Sequence, residues 1–166
     1  MRRAVSWGAV ILTALVLQST VFAQITLGGA RPELVYLATI VLAFLEGPSS
    51  AAVAGFFGGM AQDFLLNTPK GITALTLTLL GYVVGNLRQY FTTPNPLLPV
   101  FVVGAGTSAA VVFERLVAYL LGTGTGFLYV LQVAVLSGLY NMLLTPFLFP
   151  ILRRVAEASR PNRVFR

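Results

Sequence analysis

The sequence predicts an all-α integral membrane protein in which six transmembrane helices form one compact bundle. Its 166 residues are 57% hydrophobic and 10% charged, whereas soluble domains carry about 25% charged residues. The charges are confined to a few positions, and the charge-free runs between them are 4–30, 34–45, 47–62, 71–87, 89–113 and 116–152. Because one bilayer crossing takes roughly 20 apolar helical residues, five or six crossings fit these runs and almost no extramembrane domain remains.

The first span is expected at about residues 4–24, directly after the basic start Met1-Arg2-Arg3. A cleavable signal peptide is the alternative, because Val21-Phe22-Ala23 has the small-residue spacing of a cleavage site. The uncleaved span is favoured, since the apolar run is long for a signal peptide and further spans follow it.

The next apolar segment, residues 33–66, is too long for one crossing, because its helix would extend about 50 Å. Glu46-Gly47-Pro48-Ser49-Ser50 interrupts it and leaves two short spans at 33–45 and 51–66. Turns rich in Gly, Pro, Thr and Asn separate the later spans. These remaining spans are expected at 72–88, 97–121 and 127–152, followed by a basic tail at 153–166.

The distribution of basic residues predicts the orientation of the chain. Six spans place both termini on one side, and the positive-inside rule assigns the more basic side to the cytoplasm. Two basic residues, Arg31 and Lys70, fall on the predicted outer side. Eight fall on the predicted inner side: Arg2, Arg3, Arg88, Arg153, Arg154, Arg160, Arg163 and Arg166. The basic tail is interpreted as a topology signal or a contact for anionic lipids, not as a nucleic-acid site.

The absence of two residue types from the sequence excludes several chemistries. The chain contains no Cys and no His, which rules out disulfides, thiol nucleophiles and imidazole bases. Asp63 is its single aspartate, so a paired-aspartate protease is also excluded. No nucleophile–base pair is visible in the sequence. We therefore predict a protein that is not an enzyme, with no catalytic residue, cofactor or metal site.

Small residues recur at helical spacing in the third and fourth spans, at Gly55, Gly58, Gly59, Gly81 and Gly85. Such residues let helix backbones approach closely in lipid. Packing within the bundle is the favoured interpretation. The small-residue face of the third span, which contains Gly59, or the polar outer end to which it leads, is also the candidate docking site for a partner.

Four polar residues inside the spans are candidates for intramembrane or partner contacts: Asp63, Glu114, Arg115 and Asn141. An ionisable group there costs a few kcal/mol unless it is paired or hydrated. Asp63 and Arg115 are expected roughly 5 and 9 Å below the outer helix ends, so we predict a buried ion pair between them. Glu114 points about 100° away from Arg115 and is expected to face Lys70 or Arg31.

The stretch Gly55-Phe56-Phe57-Gly58-Gly59-Met60-Ala61-Gln62-Asp63-Phe64-Leu65 is followed by Gly71-Ile72-Thr73-Ala74-Leu75 and by Gly81-Tyr82. Together these segments resemble the core of the rod shape-determining protein MreD family. Arg31-Pro32-Glu33-Leu34 resembles the Arg-Pro start of that family's second span. The resemblance covers about residues 31–85, and elsewhere it rests on length, span count and the basic tail.

The resemblance implies a multi-pass protein of the bacterial cytoplasmic (inner) membrane that acts in cell elongation, cell shape and lateral peptidoglycan synthesis without known catalysis. The implied partners are an MreC-like single-span periplasmic protein, the MreB filament and the elongation glycosyltransferase–transpeptidase pair. The resemblance also implies a fold similar to the substrate-binding subunits of energy-coupling-factor vitamin transporters. A small-solute binding transporter subunit is therefore the alternative function. It is less favoured, because span one offers only Ala4 and Gly8 as a small-residue docking face.

Overall fold

The structure, a computed structural model, describes residues 2–26, 28–66, 70–90, 97–122 and 126–158. Within these residues the all-α prediction and the count of six helices are confirmed. The helices are α1 (Arg2–Thr20), α2 (Leu34–Glu46), α3 (Pro48–Leu65), α4 (Ile72–Leu87), α5 (Leu98–Leu120) and α6 (Phe127–Ala158). Short 3-10 turns follow α1 at Phe22–Gln24 and α4 at Arg88–Tyr90.

The predicted break between the second and third spans is a single residue, Gly47. Its φ of 95° lies in the left-handed region, where a side chain would be strained. Pro48 then occupies the first turn of α3, where its missing N–H leaves no hydrogen bond unmade. The two residues therefore end α2 and begin α3 with no intervening loop.

α6 covers the predicted sixth span and continues as a helix beyond residue 152 to Ala158. An ion pair between Arg153 Nε and Glu157 Oε1, at 2.8 Å, supports its last turns. The first charge after the apolar run thus does not end the helix. The first residues of the predicted tail, 153–158, are thus helical, and its residues 159–166 lie outside the described part of the chain.

α2 is the central helix of the bundle. It contacts each of the other five helices, and its residues from Leu34 to Ala43 are all buried. A helix covered on every side can be short, because its neighbours complete the packing around it.

α3 and α4 form the closest pair of helices, and four glycines make this approach possible: Gly55, Gly59, Gly81 and Gly85. A β-carbon built on Gly55 would lie 2.5 Å from the carbonyl oxygen of Leu77, and one on Gly81 would lie 2.8 Å from the carbonyl carbon of Ala51. Gly59 lies equally close to the backbone of α4. The stripe that contains Gly59, which was a candidate docking face, therefore packs against α4 inside the molecule. Gly58 faces α1 and α2 instead.

Two of the described helices, α5 and α6, are long and apolar enough to cross a membrane by length and composition. The apolar stretches Val5–Thr20 and Leu34–Glu46 are shorter. We call the end of the bundle where α2, α4 and α6 begin the upper end, and the opposite end the lower end.

Candidate functional site

Glu33 is the centre of a cluster of polar side chains at the upper end. Its Oε2 accepts hydrogen bonds from Gln18 Nε2 of α1 at 2.6 Å and from Gln62 Nε2 of α3 at 3.3 Å. Arg31 Nε donates to Oε1 at 3.3 Å and forms an ion pair with the same carboxylate. A charge inside a bundle is costly unless it is paired and hydrogen-bonded. The three donors therefore stabilise Glu33, and they join α1 and α3 to the start of α2.

The backbone of Glu33 is held by Asn141 of α6. Asn141 Oδ1 accepts a hydrogen bond from the Glu33 N–H at 3.1 Å. Its Nδ2 donates to the Glu33 carbonyl oxygen at 2.8 Å and to Thr107 Oγ1 of α5 at 3.0 Å. Asn141 is fully buried, so this predicted candidate is an interior link between α2, α5 and α6 and is not exposed to a partner.

Asp63 holds the start of α4. Its Oδ2 accepts hydrogen bonds from the N–H groups of Gly71 at 2.8 Å and Ala74 at 3.4 Å, and its Oδ1 accepts one from the Thr73 N–H at 3.3 Å. The first N–H groups of a helix have no partner within it, and a carboxylate is favourable there. The prediction that Asp63 pairs with Arg115 is therefore wrong: within the described residues no ion pair joins the two.

Glu114 accepts a hydrogen bond from the Tyr36 hydroxyl of α2. It lines a cavity together with Arg31 and Arg115. Arg31, one of the two residues that Glu114 was expected to face, therefore lies at the same cavity. The other, Lys70, makes a cation–π contact elsewhere.

This polar cavity has a volume of about 280 Å³ and lies at the upper end, beside the Glu33 cluster. The charged and amide side chains among its lining residues are Arg31, Glu33, Gln62, Glu114 and Arg115. Two positive and two negative groups therefore face one space. Within the described residues no group of three or more metal-ligating side chains is close enough to hold a metal ion.

A second feature is an apolar groove of about 740 Å³ on the side of the bundle between α1 and α3. Its lining includes Gly8, Leu12, Val53, Ala54, Phe57 and Gly58. Gly8 differs from the glycines between α3 and α4, because a β-carbon built on it meets no atom within 4 Å. The small size of Gly8 is thus not required by packing within the described part of the chain.

Sequence reasoning missed four members of the polar cluster, namely Gln18, Glu33, Tyr36 and Gln62. Gln18 also accepts a hydrogen bond from the Val35 N–H at 3.2 Å through its Oε1, and so caps the first turn of α2 from another helix. For Gln18 and Gln62 the available signal was an uncharged amide inside an apolar span, where an unpaired polar group is costly. A search for charged residues alone does not find these two amides.

Comparisons with known proteins give one family. The model of the rod shape-determining protein MreD family matches residues 1–155 of the 166. No curated protein and no solved structure matches the chain.

Proposed function

Because the chain belongs to the MreD family of rod shape-determining proteins, we propose that it is a non-catalytic membrane scaffold of the bacterial cell-elongation machinery. In this role it binds a single-span periplasmic protein of the MreC type and thereby helps to direct lateral peptidoglycan synthesis. The buried carboxylates support a structural role, since Glu33 joins helices and Asp63 caps one.

The proposed topology has all six helices crossing the cytoplasmic membrane, with both termini in the cytoplasm. Large apolar side chains on the outside of the bundle support it, because such side chains are favourable against lipid. Leu143 and Phe147 of α6 are 69% and 70% exposed. On this topology the upper end, with the polar cavity, faces the periplasm.

The proposed docking site for the partner's transmembrane helix is the groove between α1 and α3. The main support for this docking site is the groove itself, with its apolar lining. Small residues on the groove walls, Gly8 on α1 and Ala54 on α3, allow a helix to approach the backbone. The open space at Gly8 is the feature expected of a surface that a second molecule covers.

Co-purification from detergent with the MreC-like partner tests this site. Gly8→Leu places a large side chain in the groove and is expected to reduce recovery of the partner at least tenfold, which corresponds to about 1.4 kcal/mol. The variant itself should be recovered in normal yield, because a β-carbon at residue 8 meets no atom of the described residues within 4 Å.

The matched control is Ala109→Leu, at an exposed position of α5 that does not line the groove. It should leave recovery of the partner unchanged. Equal loss in both variants, or normal recovery with Gly8→Leu, would place the docking site elsewhere.

A further inference from the structure

The polar cavity contains hydrogen-bonding groups that the fold does not use. The Glu33 carboxylate is engaged by three donors. In contrast, the Arg115 guanidinium donates no hydrogen bond within the described residues, and Glu114 Oε1 accepts none there, since Tyr36 donates to Oε2. Both side chains line the cavity. One cation and one carboxylate oxygen are thus available to an occupant.

The charges around the cavity limit which occupant is favourable. Arg31 and Arg115 balance Glu33 and Glu114, so the lining is close to neutral in total. An anion or a cation alone would leave one charge uncompensated in a partly enclosed space, which is costly. A solute with one charge of each sign adds no net charge. Its carboxylate can pair with the planar guanidinium of Arg115, and its ammonium with Glu114.

The volume of the cavity limits the size of the occupant. Sites for drug-sized ligands usually span about 300–1,000 Å³, and this cavity, of about 280 Å³, is smaller. A small α-amino acid therefore fits inside the cavity.

We infer that the cavity between Arg31, Gln62, Glu114 and Arg115 is a binding site for a small zwitterionic solute of the α-amino acid class. The solute's carboxylate lies against Arg115 and its ammonium group against Glu114. This site is separate from the groove between α1 and α3, so it does not depend on the proposed docking of a partner helix.

Binding is tested on the purified full-length chain in detergent, without the partner, by thermal shift and by isothermal titration. The probes are glycine, alanine and serine. Acetate and methylamine carry one charge each, and N-acetylglycine and glycinamide each lack one of the two charged groups. The amino acids should raise the unfolding temperature in a concentration-dependent manner, and the four control compounds should not.

Two variants test the assigned residues. Arg115→Gln and Glu114→Gln should each weaken amino-acid binding at least tenfold. Arg154→Gln, an exposed change near the lower end, should leave binding unchanged. The unfolding temperature without ligand reports whether each variant is folded. The measurements with the probe compounds use the unaltered chain, so they do not depend on the folding of any variant.

Three results would overturn the inference. If no amino acid shifts the unfolding temperature or gives heat on titration, the cavity holds water only. If acetate or methylamine is as effective as glycine, recognition of a zwitterion is wrong. If folded Arg115→Gln or Glu114→Gln binds amino acids normally, the assigned residues are wrong.

Discussion

Glu33 and Asn141 together join five of the six helices, through both side-chain and backbone atoms. Glu33 binds α1 and α3 through its carboxylate, and Asn141 of α6 ties the Glu33 backbone to α5. Sequence reasoning identified Asn141 as a notable residue but not its role. The position of a side chain along a helix follows from counting residues, whereas its partner depends on how each helix is rotated.

The contribution of Asn141 is tested by Asn141→Ala. The change leaves the Glu33 N–H without this partner, at about 1–3 kcal/mol for a buried unsatisfied group. It also removes one of two donors to the Glu33 carbonyl oxygen, which keeps its hydrogen bond from the Leu37 N–H. We expect a clearly lower unfolding temperature in detergent. Asn86→Ala is the matched control, because within the described residues Asn86 donates only to the Tyr82 carbonyl, on the exposed side of α4. Its effect should stay within about 0.5 kcal/mol, and equal effects of the two changes would contradict the role of Asn141.

A second prediction follows from the hydrogen bonds that Asp63 accepts at the start of α4. Asp63→Ala removes a cap from α4 and should destabilise the protein by about 0.5–2 kcal/mol. Since Asp63 binds backbone N–H groups of α4 and not Arg115, Asp63→Ala and Arg115→Gln should be additive within about 0.5 kcal/mol. A double-mutant cycle on thermal unfolding measures this. A coupling energy well above that limit would show that Asp63 and Arg115 do form an ion pair.

At the scale of helices, most element positions follow from the sequence. The break at Gly47-Pro48 depends only on the backbone conformations that these two residues favour, so it was predictable from the sequence. α6 continues past the predicted end of the sixth span, because a charge can end an apolar run without ending a helix. The glycine pattern predicted close packing, but it did not reveal that α4 is the helix packed against Gly59.

Substitution at Gly59 distinguishes packing from docking. Gly59→Leu forces a side chain against the backbone of α4 at Ala74, and overpacking of this kind typically costs about 1–3 kcal/mol. We expect reduced folded yield and a lower unfolding temperature even without a partner. Gly8→Leu should show neither effect. A fully stable Gly59→Leu protein would contradict the α3–α4 contact.

The whole molecule has a polar upper end and an apolar side groove, and the family of rod shape-determining proteins links it to cell shape. The composition indicated the membrane environment. It did not indicate the cavity, because Glu33, Gln62 and Arg115 are distant in sequence and meet only once the helices have packed.

The proposed topology is testable because the chain contains no Cys. Lys70→Cys, near the upper end, should react with a membrane-impermeant thiol reagent added to intact cells whose outer membrane has been permeabilised. Ala158→Cys, at the end of α6, should react only after the cytoplasmic membrane is opened. Labelling of Ala158→Cys before that step would contradict the cytoplasmic placement of the C-terminus.

Disulfide crosslinking tests whether the groove between α1 and α3 holds the transmembrane helix of an MreC-like partner. Gly8→Cys is combined with single cysteines placed in turn along the partner's helix. We expect crosslinks at every third or fourth partner position, as for one face of a helix, and none from Ala109→Cys on α5. Crosslinks from Ala109→Cys with none from Gly8→Cys would contradict it.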